Sequence, residues 1–254
     1  MYGPNNEAIY GARSIAGSLL PAIVAAIASI AVLKRSRWPL VLMFLALGLS
    51  LSRSALAIAL IMLMTFAFRG KKGAALLKSV LFSGGLLVGV ILLYTYYEPF
   101  RNRFEQGDGY EVGGFTLGSS GRTNLWGATY EHWLQSPWVG FGAGSSEVLT
   151  MQRFNITHPH SDYLRLLHDY GILGLALFVV AVVGMGYAAW KRYRASRGVD
   201  QAIHLAALLG VLQLLLFMVA NNPIVNVFFM LALAVVLGVS IGRGTPAHQD
   251  KLIL

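Results

Sequence analysis

Three short segments hold residue types and spacings capable of chemistry. Arg53 stands between two apolar runs, with Ser50, Ser52 and Ser54 beside it. A guanidinium so placed is costly and ordinarily faces a cavity, a partner or the interface, with snorkelling at a helix end as the plainer alternative. Arg122 lies in SSGRTNLWGATYEHWLQSP, which reads as a helix entered through Ser119 or Ser120 and stopped before Pro137. Free N–H groups and the helix dipole favour an anion at such a start, and an arginine fork adds bidentate phosphate recognition. The third segment, His158-Pro159-His160-Ser161-Asp162, lies just ahead of an apolar run. Imidazole is the side chain best suited to proton transfer near neutral pH.

Other patterns nearby carry weaker chemistry. Trp126, Tyr130 and Trp133 recur at i, i+4 and i+7 as one aromatic stripe. Packing onto a membrane span or resting among headgroups explains the stripe more simply than sugar stacking. The His-x-His-x-Asp spacing is also a weak metal pattern, and neither a metal nor a cofactor is expected. Arg165 and Asp169 sit i, i+4 apart with His168 between them, the spacing of an intrahelical ion pair. Gly140, Gly142 and Gly144 in VGFGAGSS resemble a dinucleotide fingerprint only superficially, lacking a strand before and a helix after, and read as a flexible loop. No Ser-His-Asp or paired-carboxylate motif is legible. The candidates are therefore His160, Arg122 and Arg53 for catalysis, and Arg53, Arg122, Trp126 and His158 for substrate contact.

These residues must be positioned by membrane helices. Of 254 residues, 56% are hydrophobic and 12% charged, roughly half the charged share of a soluble domain. Several apolar runs approach the ~20 residues that cross a bilayer. An all-α polytopic protein of about seven transmembrane helices with one large periplasmic loop is expected. Residues 1–97 hold spans one to four, 98–162 a periplasmic loop subdomain with an amphipathic helix, and 163–254 spans five to seven. Spans two and three form a tight hairpin with Arg53 near its outer tip. Gly84, Gly85 and Gly89 in span four offer close helix packing. The opening residues MYGPNNEAIYGARS lack the basic region of a cleavable signal, and the absence of cysteine removes disulfides and thiolate metal sites.

The net charge of +9 is a matter of topology. Basic clusters at Lys34, Arg35 and Arg37, at Arg69, Lys71, Lys72 and Lys78, and at Lys191, Arg192, Arg194 and Arg197 fall in short linkers, which the positive-inside rule assigns to the cytoplasm. The N-terminus is then outside and the C-terminus cytoplasmic. All six lysines fall inside, with only two acids, Asp200 and Asp250. A nucleic-acid partner loses its support on this distribution.

With those residues set out, the chain resembles the C-terminal part of the O-antigen ligase and polymerase family of lipid-linked glycan transferases. The matching segments are LSLSRSALAIAL around Arg53, GRTNLWGATYEHWLQSPWVGFGAGSS around Arg122 and HPHSDYLRLLHDYGILGLALF around His160. Each is loose alone; the three in order are fairly specific. The resemblance implies an inverting, metal-independent transfer from an undecaprenyl-diphosphate-linked glycan to a glycan or lipid acceptor on the periplasmic face. It places Arg53 and Arg122 on the donor diphosphate and makes His160 the group that deprotonates or orients the acceptor hydroxyl. It also implies about a dozen spans against about seven here, the expectation for a fragment, a split-gene product or a truncated paralogue, whose activity would call for a partner such as a separate N-terminal half.

Two other classes compete. An arginine-lined cavity is compatible with anion or bicarbonate-like transport, and a truncated paralogue would be a noncatalytic scaffold. Transport predicts charges along several spans, yet spans four, six and seven are almost uncharged except Lys78 and His204 near their inner ends. That favours chemistry at the surface over conduction.

Overall fold

A computed structural model describes residues 5–67, 73–105, 109–112, 115–118 and 122–243. Its helices are α1 (Asn5–Leu33), α2 (Trp38–Leu49), α3 (Arg53–Ala67), α4 (Gly73–Tyr96), α5 (Glu98–Glu105), α6 (Arg122–Trp133), α7 (Ser145–Phe154), α8 (Asp162–Ala195), α9 (Gly198–Phe217) and α10 (Val227–Gly242). One antiparallel hairpin, β1 (Gly109–Val112) with β2 (Phe115–Gly118), pairs Gly109 with Gly118 and Val112 with Phe115. The protein is all-α in class and built as a polytopic membrane protein, the two-stranded hairpin being a small addition. Arg69, Lys71, Lys72, Asp250, Ser119 and Ser120 lie outside the described residues.

Four helical stretches are long and apolar enough to cross a bilayer: Ala16–Leu33, Leu76–Tyr96, Asp162–Ala195 and Gly198–Phe217. The expected order of seven apolar helices is completed by shorter ones, Trp38–Leu49, Arg53–Thr65 and Val227–Gly242. At 1.5 Å per residue a twelve-residue helix such as α2 reaches about 18 Å, well short of the ~30 Å hydrocarbon layer. The α2–α3 hairpin is as tight as expected, with Arg53 the first residue of α3.

The helix α9 forms the axis of the bundle, packed against α1, α3, α8 and α10. Lipid is as apolar as a leucine side chain, so close van der Waals fit and polar links hold such helices together. Gly186 of α8 faces Val211, and Gly210 of α9 faces Leu233 of α10, where any larger residue would press on the neighbour. Gly84, Gly85 and Gly89 do not serve this purpose, because nothing lies within 4 Å of where their side chains would stand. Buried Gln213 donates from Nε2 to the Leu20 carbonyl (2.9 Å), and His204 Nδ1 meets Ser240 Oγ at 2.8 Å.

The two ends of the bundle differ in chemistry. At one end, Arg37 reaches the Lys78 carbonyl and Arg243 pairs with Asp200 at 2.8 Å, beside the basic stretch that closes α8. At the other end α8 begins, α9 stops, α10 starts and Arg53 heads α3. Asp162 N–H donates to the carbonyls of Met218 (3.0 Å) and Asn221 (3.1 Å), which ties the head of α8 to the α9–α10 linker.

The segment from 98 to 162 contains more structure than one amphipathic helix in a polar loop. A helix, α7, does follow the VGFGAGSS glycines, contrary to the expectation of none. Those glycines are not a free loop either: residues 140 to 146 wrap around the first half of α8.

Candidate active site

The chain lifts Arg122 and His160 to the same end of the bundle by separate routes. In α6 the buried row is Leu125, Thr129 and Trp133, an i, i+4, i+8 face that packs the helix down. The expected aromatic stripe is therefore divided: Trp133 is buried, Tyr130 is 47% exposed, and Trp126 is half-buried with a polar task. Trp126 Nε1 donates to the Pro159 carbonyl at 2.8 Å. Arg122, the first residue of α6, donates from Nη1 to the Ala220 carbonyl at 2.8 Å.

His160 sits in the connection from α7 to α8 with φ +54, a left-handed conformation uncommon for a residue with a side chain. That turn costs about 1 kcal/mol and persists because both sides are fixed. Ahead of it Pro159 is buried, with its carbonyl taken by Trp126. Behind it Ser161 caps α8 by accepting from Leu164 N–H, and its hydroxyl donates to the Met218 carbonyl (3.3 Å). Asp162 is wholly buried and accepts from Asn222 Nδ2 (3.0 Å) and Ile224 N–H (2.8 Å).

The linker between α9 and α10 is thus common ground. It supplies the carbonyl that holds Arg122 and the partners that hold the His160 segment. His160 itself is exposed, yet the protein around it, then the nearby Arg122 and His158, lower its pKa from 6.5 to about 4. The ring is therefore neutral at physiological pH and able to accept a proton. His158 stands 4.0 Å from Glu147. Asp162 is committed to the linker, and among the described residues no three His, Cys, Asp or Glu side chains group to hold a metal.

Of the sequence candidates, Arg122, Trp126, His158 and His160 come together. Arg53 is half-buried at the same end of the bundle, at the tip of the α2–α3 hairpin, on a helix that packs against α9.

A second polar cluster joins α6, α7 and α8, and only the Arg165–Asp169 spacing hinted at it. His132 Nδ1 and His168 Nε2 lie 2.9 Å apart, and Phe141 meets the His132 ring tilted at 4.3 Å and stacks on His168 at 5.1 Å. In this contact one ring donates and the other accepts. Burial, then His168 and Arg153, lower the His132 pKa. The Asp169 carboxylate accepts from Gly144 N–H (3.0 Å), Ser145 Oγ (3.1 Å) and Ser146 N–H (2.7 Å). It caps α7 from another element, as a carboxylate does at a helix start. The expected Arg165 pairing is present but looser, at 3.9 Å.

The cluster also explains a break in α8. Gly171 has φ +66 and ψ −171 inside an otherwise continuous helix. The carbonyls thereby released, on His168 and Asp169, accept from Phe141 N–H (3.0 Å) and Gly142 N–H (2.8 Å). The released N–H groups of Ile172 and Leu173 donate to the carbonyls of Pro137 (2.9 Å) and Trp138 (3.2 Å). Gly140 and Gly171 meet face to face here, and a side chain on either would strike the other segment's backbone.

A family model described as O-antigen ligase matches residues 38–179, more than half of the chain and a stretch that includes Arg53, Arg122 and His160. No curated protein matches the sequence.

Proposed function

Because the chain belongs to the O-antigen ligase family, whose members are ligase- or polymerase-type glycan transferases of the membrane, we propose that it moves a glycan from undecaprenyl diphosphate to a glycan or lipid acceptor. The transfer occurs on the periplasmic face of the bacterial inner membrane. The chain is oriented with the basic end of the bundle in the cytoplasm and crosses about seven times.

The observation that carries this reading is the joint anchoring of Arg122 and His160 on one linker, beside a Trp126 that bonds the intervening Pro159 carbonyl. Arg122, with Arg53 from the α2–α3 tip, grips the donor diphosphate and stabilises charge on the leaving group. The acceptor hydroxyl attacks the anomeric carbon while the bond from that carbon to the diphosphate oxygen breaks. His160, neutral in the free protein, takes the hydroxyl proton, and undecaprenyl diphosphate departs with the bonding electrons. Attack opposite the leaving group inverts the anomeric configuration and uses no metal. Trp126 and His158 line the approach to the sugar.

The test is expression in cells lacking their own ligase or polymerase, alone and with a chain supplying further helices, followed by examination of surface glycans. Arg53→Ala, Arg122→Ala and His160→Ala should each abolish a restored ladder without reducing membrane insertion. Ladders of normal intensity from all three would refute the assignment.

A further inference from the structure

The geometry points to the Pro137–Gly142 segment as a membrane-seated element, with Trp138 and Val139 packed among the acyl chains of the outer leaflet. This holds whether or not the chain transfers a glycan, since it depends only on α8 crossing the bilayer.

The segment is unusual for an extramembrane connection. Residues 136–146 contain no charged side chain. Trp138 and Val139 are 63% and 65% exposed. Both adjoin the top of the α8 span, because the Ile172 and Leu173 N–H groups bond to the Pro137 and Trp138 carbonyls. The exposed apolar face of α8, including Leu173 and Leu177, is thereby continued sideways by this segment.

Depth follows from helix length. Lys191 and Arg192 begin the basic end of α8, with Tyr187 and Trp190 just before them as interfacial aromatics. Some twenty residues separate that end from Gly171, a rise of about 30 Å, which is the thickness of the hydrocarbon layer. The break at Gly171, and the segment docked in it, therefore lie at the outer hydrocarbon boundary. Irregular backbone is tolerated at such a depth when its polar groups are satisfied within the protein. Phe141 and Gly142 donate to the broken helix, Gly140 N–H donates to Ser136, and the Pro137 and Trp138 carbonyls accept from it.

Acyl chains are the occupant on the grounds of this continuity, and of the depth at which it occurs. Seating the segment there fixes the stretch of α8 ahead of Gly171, and hence His160 before it, within about 15 Å of that boundary, where a lipid-borne diphosphate lies.

The chain has no cysteine, so single nitroxide labels can be introduced without removing native thiols. The full chain carrying Trp138→Cys or, separately, Val139→Cys is reconstituted in phosphatidylethanolamine and phosphatidylglycerol vesicles. Collisions with oxygen and with a water-soluble nickel chelate are then compared, using Leu177→Cys as the lipid reference and Glu131→Cys as the water reference. At either segment position the oxygen-to-nickel ratio should exceed the Glu131 label several-fold and approach the Leu177 label, which stands about 9 Å deeper. A ratio equal to the Glu131 label would overturn the proposal. So would shielding from both reagents, which would mean that protein covers the patch. Two independent positions keep the result decisive if one label disturbs folding.

Discussion

The indole of Trp126 donates to the carbonyl of Pro159 at 2.8 Å, so the helix that presents Arg122 is latched to the peptide between His158 and His160. The relation is between two distant motifs, and it sets the angle at which a guanidinium and an imidazole meet a common substrate. Removing the donor while keeping an aromatic ring, in Trp126→Phe, leaves that carbonyl without its partner. The lost hydrogen bond is worth about 1 kcal/mol, seen as roughly a fivefold drop in transfer rate with normal membrane levels. An unchanged rate would mean that the latch does not position the site.

The pH dependence has a definite sign. His160 is held below the ordinary 6.5, at about 4, first by the protein crowded around its exposed ring and then by Arg122 and His158. Its basic form thus persists as the pH falls below 6.5 and is lost as the pH falls through about 4. The acid limb of kcat/KM, which reports the free protein, should appear near that lower value. A bound diphosphate adds negative charge beside the ring and favours its protonated form, so the limb of kcat should lie at higher pH. Arg122→Ala removes one depressing charge and should move the free-protein limb upward. A kcat/KM limb that remains at 6.5 in the wild type would contradict this electrostatic arrangement.

Asp162 makes a separate prediction because it is a positioning residue. Asp162→Ala strands Asn222 Nδ2 and the Ile224 N–H, whose acceptor it is, at a cost of about 1–3 kcal/mol for each buried group. The expected signature is a lower melting temperature in detergent together with a fall in transfer. Asp162→Asn retains an acceptor oxygen and should recover part of both. Equal damage from the two variants would show that charge, rather than the pinning of the linker, is what matters.

Gly171 tests the broken helix. A Gly171→Ala substitution strains a positive-φ position and drives a methyl into the Trp138 backbone. Destabilisation of about 2–4 kcal/mol is expected, measured as a melting shift of several degrees. Ala at Gly84, where nothing lies within 4 Å, should be close to neutral. A Gly171→Ala protein that melts with the wild type would mean that α8 is continuous there.

The order of apolar helices and the hairpin that carries Arg53 were legible because they follow from run length and charge placement, whereas the approach of Arg122 to His160 depends on the intervening loop folding back, which no spacing announces. The break in α8 was not legible either. A glycine in an apolar helix signals packing as readily as a kink, and the kink is stable only because Phe141 and Gly142, distant in sequence, supply the missing hydrogen bonds. Asp169 illustrates the same limit: its i, i+4 spacing to Arg165 revealed the 3.9 Å ion pair, while its shorter bonds go to Gly144, Ser145 and Ser146. The contact between His132 and His168 joins two helices and leaves no periodic trace. The α9–α10 linker showed only turn residues, Asn221, Asn222 and Pro223, although it anchors both halves of the site.

The central claim is that Arg122 and His160 act on one lipid-linked donor. Its most direct test is transfer by the full chain in vesicles loaded with a radiolabelled undecaprenyl-diphosphate-linked glycan and an acceptor, together with any chain needed for wild-type activity. Arg122→Ala and His160→Ala should each slow release of undecaprenyl diphosphate by about a hundredfold or more, with the product showing inverted anomeric configuration in the wild type. Release at the wild-type rate by both variants would contradict the claim.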